Sequence, residues 1–194
     1  YTDLLQRPHG ILLLTGPTGS GKTTTLYASL SNMDSDSLKV ITVEDPVEYQ
    51  LHGINQIPVH SQIGLTFALA LRSILRQDPD IIMIGEMRDT ETAQIAVQSA
   101  LTGHLVLSTL HTNTAAGAIT RLEVMGVERF LIAAAVNGVL AQRLVRKLCS
   151  ECKTPSELPA DVLKSTGLEP FMSAGNQTVY EAAGCEHCKQ TGYR

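Results

Sequence analysis

Gly16-Pro17-Thr18-Gly19-Ser20-Gly21-Lys22-Thr23 matches, at every fixed position, the spacing G-x-x-x-x-G-K-[ST] of a loop that holds phosphate. The residue types follow from that task. Gly16, Gly19 and Gly21 permit backbone angles closed to other residues, so successive N–H groups can converge on phosphate oxygens. Lys22 brings a point charge, Thr23 offers a hydroxyl to Mg²⁺, and a helix starting here adds the partial positive charge of its N-terminus. Thr24 completes the predicted set of nucleotide-binding residues. An ordinary glycine-rich turn is the competing interpretation, and the flanks argue against it. Ile11 to Leu14 is a short apolar run suited to a buried parallel strand, and Thr23 to Leu30 reads as a helix.

Three further groups of residues carry chemistry. Lys39 to Val43 reads as a second strand that ends in Glu44-Asp45-Pro46, because Pro46 lacks an N–H and disfavours a helical Asp45. Ligands of open parallel sheets sit at the carboxyl ends of strands, which places Glu44, Asp45 and Glu48 towards the phosphates. Ile81 to Ile84 is another buried strand, followed by Gly85-Glu86, with Gly85 where a Mg²⁺-binding Asp is often found. Glu86 is then left to orient water or hold metal through water, or to serve as an N-terminal carboxylate of the next helix. His104 and His111 bracket a predicted strand. Either alone suits a hydrogen-bonded structural residue, whereas two flanking a strand that ends at the nucleotide are candidate catalytic residues.

The third group is Cys149-x-x-Cys152 and Cys185-x-x-Cys188, which predict a closed tetrahedral Zn²⁺ site of four thiolates. The 32 intervening residues, with Pro155, Pro159 and Pro170, exceed the usual spacing and must fold as an excursion. Neither pair opens a helix in a βαβ unit, which disfavours a redox pair. His187 competes as a ligand only if one Cys is displaced.

These residues need a scaffold. At 194 residues the chain can build one substantial core plus a small appendage. It begins at Tyr1 without Met, and both ends read as cuts in a larger protein. Net charge is 15 − 19 = −4, no basic stripe is present, and there are no Trp and only 3 Phe, so no nucleic-acid partner is expected. No secretory leader is seen, and the uncharged stretch from Thr92 to Ile119 is interrupted by polar residues, so no direct membrane span is expected. Gln50 to Gly64 reads as irregular, either a loop or a short hairpin. From Thr66 to Asp78 the pattern is helical, with Ala68, Leu71 and Leu75 on one face and Arg72 and Arg76 on another. Thr90 to Leu101, Ala115 to Met125 and Phe130 to Leu148 complete the predicted helices. The last would end in Arg143, Arg146 and Lys147, either as cations favoured at a helix C-terminus or in an intersubunit role.

Gly16 to Thr23, Val43-Glu-Asp-Pro-Val-Glu-Tyr49, Gln77 to Asp89 and Gly103-His-Leu-Val-Leu-Ser-Thr-Leu-His-Thr112 together resemble the ATPase family that drives type II secretion and type IV pilus assembly. The tetracysteine tail further resembles its type II secretion and pilus-extension branches. The expected architecture is α/β: a RecA-like P-loop NTPase domain with a mostly parallel central sheet over 1–148. A zinc-binding tetracysteine subdomain over 149–188 and the start of a truncated C-terminal segment at 189–194 follow. The resemblance implies that Glu44 and Glu48 belong to an aspartate box near Mg²⁺ and the attacking water. It also implies that Ile81 to Glu86 is an atypical Walker B segment with Gly before Glu, and that His104 and His111 form a histidine box. It implies ATP hydrolysis by a cytoplasmic homo-oligomer, a hexamer, docked on inner-membrane secretion platform proteins, with a preceding domain supplying arginines to the nucleotide. A pilus-assembly or DNA-uptake motor is the alternative within the same chemistry. A nucleotide-dependent switch that does not hydrolyse is the alternative outside it.

Overall fold

The computed structural model describes residues 1–34, 37–157, 159–167 and 178–194. Ser35 and Asp36, between the first helix and the second strand, and Pro170 of the expected excursion lie outside the described residues. The chain divides into two compact units, Tyr1–Leu144 and Val145–Arg194. The boundary expected after Leu148 thus falls within the second unit, as do Lys189 to Arg194.

In the first unit, β1 (Gly10–Thr15), β2 (Val40–Glu44), β4 (Ile81–Ile84) and β5 (Leu105–Leu110) are buried at every residue. Strands covered on both faces must be apolar on both, which is why they read as continuous hydrophobic runs. Alternate residues supply opposite faces. Ile11 and Leu13 join Ile41, Val43, Ile82, Ile84 and Val106 against α3 (Phe67–Ile74), α4 (Thr90–Leu101), α5 (Ala115–Val124) and α6 (Arg129–Ala135). Leu12 and Leu14 join Met83, Leu105 and Leu107 against Leu26, Tyr27 and Leu30 of α2 (Lys22–Ser31). A short α1 (Thr2–Leu5) contributes Leu4 and Leu5 to the second cluster. With the edge strands β3 (Asn55–Pro58) and β6 (Val136–Ala141), all pairings in the six-stranded sheet are parallel, in the order β3-β2-β4-β5-β1-β6.

Both edge strands correct the sequence-based expectation. Asn55–Pro58 forms β3, which runs parallel to β2 with Asn55 beside Ile41 and Pro58 beside Glu44. Only half-buried at an edge, it lacks a full apolar face, and its terminal Pro is tolerated where no further strand needs its N–H. The helix expected over Phe130 to Leu148 stops at Ala135, and Val136–Ala141 forms β6 beside β1. A short apolar run suits a helix or a strand equally well, and here the free edge of β1 decides. A Cβ on Gly138 would stand 2.8 Å from Leu4 Cδ1, so a side chain there requires the end of Leu4 to shift. Arg143, Arg146 and Lys147 therefore follow a strand and do not cap a helix. Likewise α3 ends at Ile74, followed by a 3₁₀ turn over Leu75–Gln77 and a left-handed Asp78.

Three helix starts are capped by side chains: Thr66 accepts from Leu69 N, Asp89 from Thr92 N at 2.8 Å, and Thr114 from Gly117 N. The cap of α4 is thus Asp89 and not Glu86. No helix among the described residues is long and apolar enough to cross a membrane.

The second unit holds the antiparallel pair β7 (Thr154–Glu157) and β8 (Thr178–Glu181), with α7 (Ala160–Thr166) between them in sequence. Cys149 N donates to Gly192 O at 2.9 Å and Arg194 N to Lys147 O at 2.8 Å, which ties the two ends of the unit together.

Candidate nucleotide and metal sites

The parallel sheet delivers the tips of β1, β2, β4 and β5 to one edge, where they enclose a cleft of about 640 Å³. One wall is the phosphate loop from Thr18 through Thr23 and Thr24, and the others carry Glu44, Asp45 and Glu48, then Gly85 and Glu86, then Thr109 and His111. Gly16 and Gly19 are required for different reasons. A Cβ on Gly16 would stand 2.4 Å from Gln142 O, whereas Gly19 faces open space and needs only its φ of +74°. Lys22 is buried and donates from Nζ to Gly16 O and Pro17 O at 3.0 Å each. Burial lowers its pKa, the Glu86 carboxylate opposes that shift, and the Arg143 guanidinium reinforces it. Ser20 Oγ in the same loop is buried with no hydrogen-bond partner among the described residues. These donors around an enclosed loop fit a polyphosphate, and the Thr23 hydroxyl in the first turn of α2 fits a Mg²⁺ ligand.

The two principal carboxylates differ in their surroundings. Glu44 is 2% exposed; one oxygen accepts from Thr42 Oγ1 at 2.6 Å and Gln56 Nε2 at 3.1 Å, and the other from the Tyr27 hydroxyl. Burial first, then that bond to Glu44, pushes the Tyr27 pKa up to about 12. Tyr27 also accepts from Glu48 N at 3.2 Å and packs edge-on against Tyr49 with ring centres 4.6 Å apart. Glu44 is thus saturated with donors, while the exposed Glu48 is positioned through its backbone. Glu86 pairs with two basic groups: His111 Nε2 lies 3.0 Å from one oxygen, and the Arg88 guanidinium binds the other. The bond to Glu86 raises the Arg88 pKa, and Arg88 also lies 3.8 Å from Asp45. Arg88 therefore links the tips of β2 and β4, while Thr109 Oγ1, donating to Gly85 O at 2.8 Å, links β4 to β5.

Only one of the two histidines is at the cleft. His111 follows β5 and His104 precedes it, so the strand separates them by about 20 Å. His104 Nδ1 lies 2.9 Å from Ser99 O at the end of α4. His104, a candidate catalytic residue, thus stands away from the cleft: a parallel strand has one end at the ligand and the other at the far edge of the sheet.

Tyr27, Gln56, Arg88 and Gln142 were not among the candidates. Arg88, two residues beyond Glu86, was legible as a cation beside an acid. Gln56 and Gln142 lie in the two segments whose strands went unrecognised, and Tyr27 looks from its neighbours like an ordinary core aromatic.

In the second unit, the four sulfurs of Cys149, Cys152, Cys185 and Cys188 lie within 4.8 Å of one another. Cys188 Sγ stands 3.8 Å from Cys152 Sγ and 3.7 Å from Cys185 Sγ. Four thiolates at about 2.3 Å from a tetrahedral zinc are separated by about 3.8 Å, so this arrangement fits the ion. Burial pushes the Cys188 thiol up, but N–H groups of Cys185 and Gly192, each 3.2 Å from its sulfur, and the neighbouring thiols more than offset this and leave it at about 6. Burial and donation to the other sulfurs push Cys152 to about 12. His187 stands outside the cluster, with Nε2 2.8 Å from Arg194 Nη2.

Comparison with known proteins gives consistent neighbours. The family model described as "Type II/IV secretion system protein" matches residues 1–194. The chain is 56% identical over 197 residues to the "Type II secretion system ATPase E" of Vibrio cholerae, covering 100% of this chain and 38% of that protein. It is 55% identical over 195 residues to the "Type IV pilus assembly ATPase PilB" of Myxococcus xanthus, covering 100% of this chain and 34% of that one. Among solved structures, the pilus retraction motor PilT with bound ADP superposes with a TM-score of 0.70 at 40% identity, over 77% of this chain and 46% of that one. The match thus spans less than half the length of each of these proteins.

Proposed function

The chain belongs to the type II/IV secretion system protein family, and we propose that it is the ATP-hydrolysing part of a motor that powers type II protein secretion by assembling a pseudopilus. The observation that carries this proposal is the convergence on one cleft of a phosphate loop, two carboxylate-bearing strand tips and a Glu86–His111 pair. Phosphate binding alone needs only the loop. Attack of water on a γ-phosphate also needs a group that orients the water and takes its proton, a role we assign to Glu86, whose pairing with His111 in the cleft supports it. Lys22 and the loop N–H groups neutralise charge that develops as the bond to the leaving ADP oxygen breaks. Thr23 holds Mg²⁺, which screens the phosphate charge, and Glu44 and Glu48 position the metal's surroundings and the water.

We assign hydrolysis to 1–148 and one structural Zn²⁺, held by Cys149, Cys152, Cys185 and Cys188, to 149–188, with 189–194 leading into a further C-terminal segment. The motor is a homo-oligomer, a hexamer, at the cytoplasmic face of the bacterial inner membrane, docked on membrane platform proteins. Pilus assembly is the second reading, favoured by an identity to PilB of 55%, against 56% with the secretion protein. Pull-down of the full-length protein against the membrane platform of each system separates the two.

Turnover is tested on the full-length protein. Steady phosphate release should disappear in Lys22→Ala and fall about 10²–10⁴-fold in Glu86→Gln. Retention of ATP with no release by the native protein would establish the non-hydrolysing switch instead.

A further inference from the structure

Beyond β6 the chain turns back over the phosphate loop, where Gln142 bonds it repeatedly and Arg143 ties Gln142 to the segment after β5. Gln142 N donates to Thr15 O at 2.7 Å, extending the sheet ladder to the residue before the loop. Its carbonyl oxygen packs against Gly16 so closely that no side chain fits. Its amide then bridges the far side of the loop: Nε2 donates to Ser20 O at 2.8 Å, and Oε1 accepts from Thr25 Oγ1 at 2.9 Å. Since Ser20 O can only accept, the amide orientation is determined. Arg143 continues the pattern: Nη1 donates to Gln142 O at 2.9 Å, and Nη2 donates to Asn113 O, two residues after His111.

A loop that turns its N–H groups inward to phosphate turns carbonyls outward, and a partly buried carbonyl without a donor is costly. Gln142 supplies that donor for Ser20 and an acceptor for Thr25 from one planar amide, which an ionised carboxylate at this position could not do. We propose that Gln142 and Arg143 form a clasp that holds the phosphate loop in its phosphate-receiving shape and fixes it relative to the His111 tip. Both are positioning residues. Neither touches the reacting atoms; they act through Ser20, Thr25 and Asn113. The inference rests on the nucleotide-binding role assigned to the cleft.

The test uses full-length oligomer and steady-state ATP hydrolysis. Gln142→Glu keeps the acceptor for Thr25 but sets an oxygen against the Ser20 carbonyl, so kcat should fall about tenfold, with KM for ATP raised, as in Gln142→Ala. In a double-mutant cycle, Gln142→Ala with Thr25→Val should be no worse than Gln142→Ala alone, because both remove the same bridge. Exposed Arg143→Ala should lower kcat several-fold without shifting the melting midpoint, which keeps the clasp testable even if Gln142 variants fold poorly. Wild-type kcat and KM in folded Gln142→Glu and Arg143→Ala, or effects of Gln142→Ala and Thr25→Val that simply multiply, would overturn the clasp. Lys22→Ala is the control: turnover that survives this change overturns the nucleotide reading itself, independently of the clasp.

Discussion

The first unit and the second are held together by different means. In the first, fold-bearing residues and chemistry-bearing residues are largely separate sets, with the buried Glu44, bonded to the core Tyr27, as the exception. Leu13, Ile41, Ile82 and Val106 are fully buried in the sheet, and Lys22, Glu86 and His111 stand at its strand tips. In the second unit the sets coincide. Among its described residues the buried apolar side chains are those of Cys149 and Cys188, themselves half of the candidate metal site. A segment of 50 residues buries too little apolar surface to stand on packing alone, and a metal is one of the few substitutes. The chemistry of the first unit can therefore be removed without its fold, whereas in the second the two go together.

The largest expected effect breaks the second half of that comparison. Structural zinc sites contribute on the order of 10 kcal/mol to folding. Stripping the ion from full-length protein with a strong chelator, or Cys152→Ser, should erase amide-exchange protection in β7, β8 and the Cys185–Cys188 turn while β1, β4 and β5 keep theirs. Protection retained throughout would mean that packing, not metal, holds the second unit. The next effect, on the first unit, should be the mirror image. Leu13→Ala deletes a fully buried side chain between β1 and the helices of one face, which costs about 2–5 kcal/mol. Denaturant unfolding followed by β1 and β5 protection should shift by that amount, with zinc content unchanged at about one ion per chain.

How much was readable from sequence follows the same division. Ile11 to Leu14 and Ile81 to Ile84 announce themselves because strands buried on both faces leave continuous apolar runs, and the loop and the cysteine pairs because their spacing is dictated by the ligand. β3 and β6 were missed because an edge strand is specified partly by the neighbour it joins. Asn55-Gln56-Ile57-Pro58 has no face of its own, and Val136 to Ala141 fits either element until β1 offers it an unpaired edge. With β6 went Gln142, whose partners Thr15 O and Ser20 O are main-chain carbonyls that every residue carries and no pattern marks. The Glu44–Tyr27 bond was hidden for a related reason: a tyrosine inside an apolar helix face reads as core until the hydroxyl is seen to reach a carboxylate.

The smallest effect sharpens the claim that fold and chemistry separate within the first unit, because it compares two histidines on one strand. His111 is more than half exposed and bound to Glu86, so its loss removes a charge-assisted partner from a cleft carboxylate. His104 binds Ser99 O at the opposite end of β5, so its loss removes one hydrogen bond at a helix terminus. His111→Ala should lower kcat at least tenfold with an unchanged melting midpoint. His104→Ala should cost about 1 kcal/mol of stability and leave kcat per folded molecule unchanged. Equal losses of turnover in both would mean that the two ends of β5 communicate, and the tidy assignment of chemistry to one edge of the sheet would fail. Unequal losses in the stated direction would show that a strand flanked by two identical residue types carries function at only one of them, for the topological reason that a parallel strand presents only its carboxyl end to the ligand.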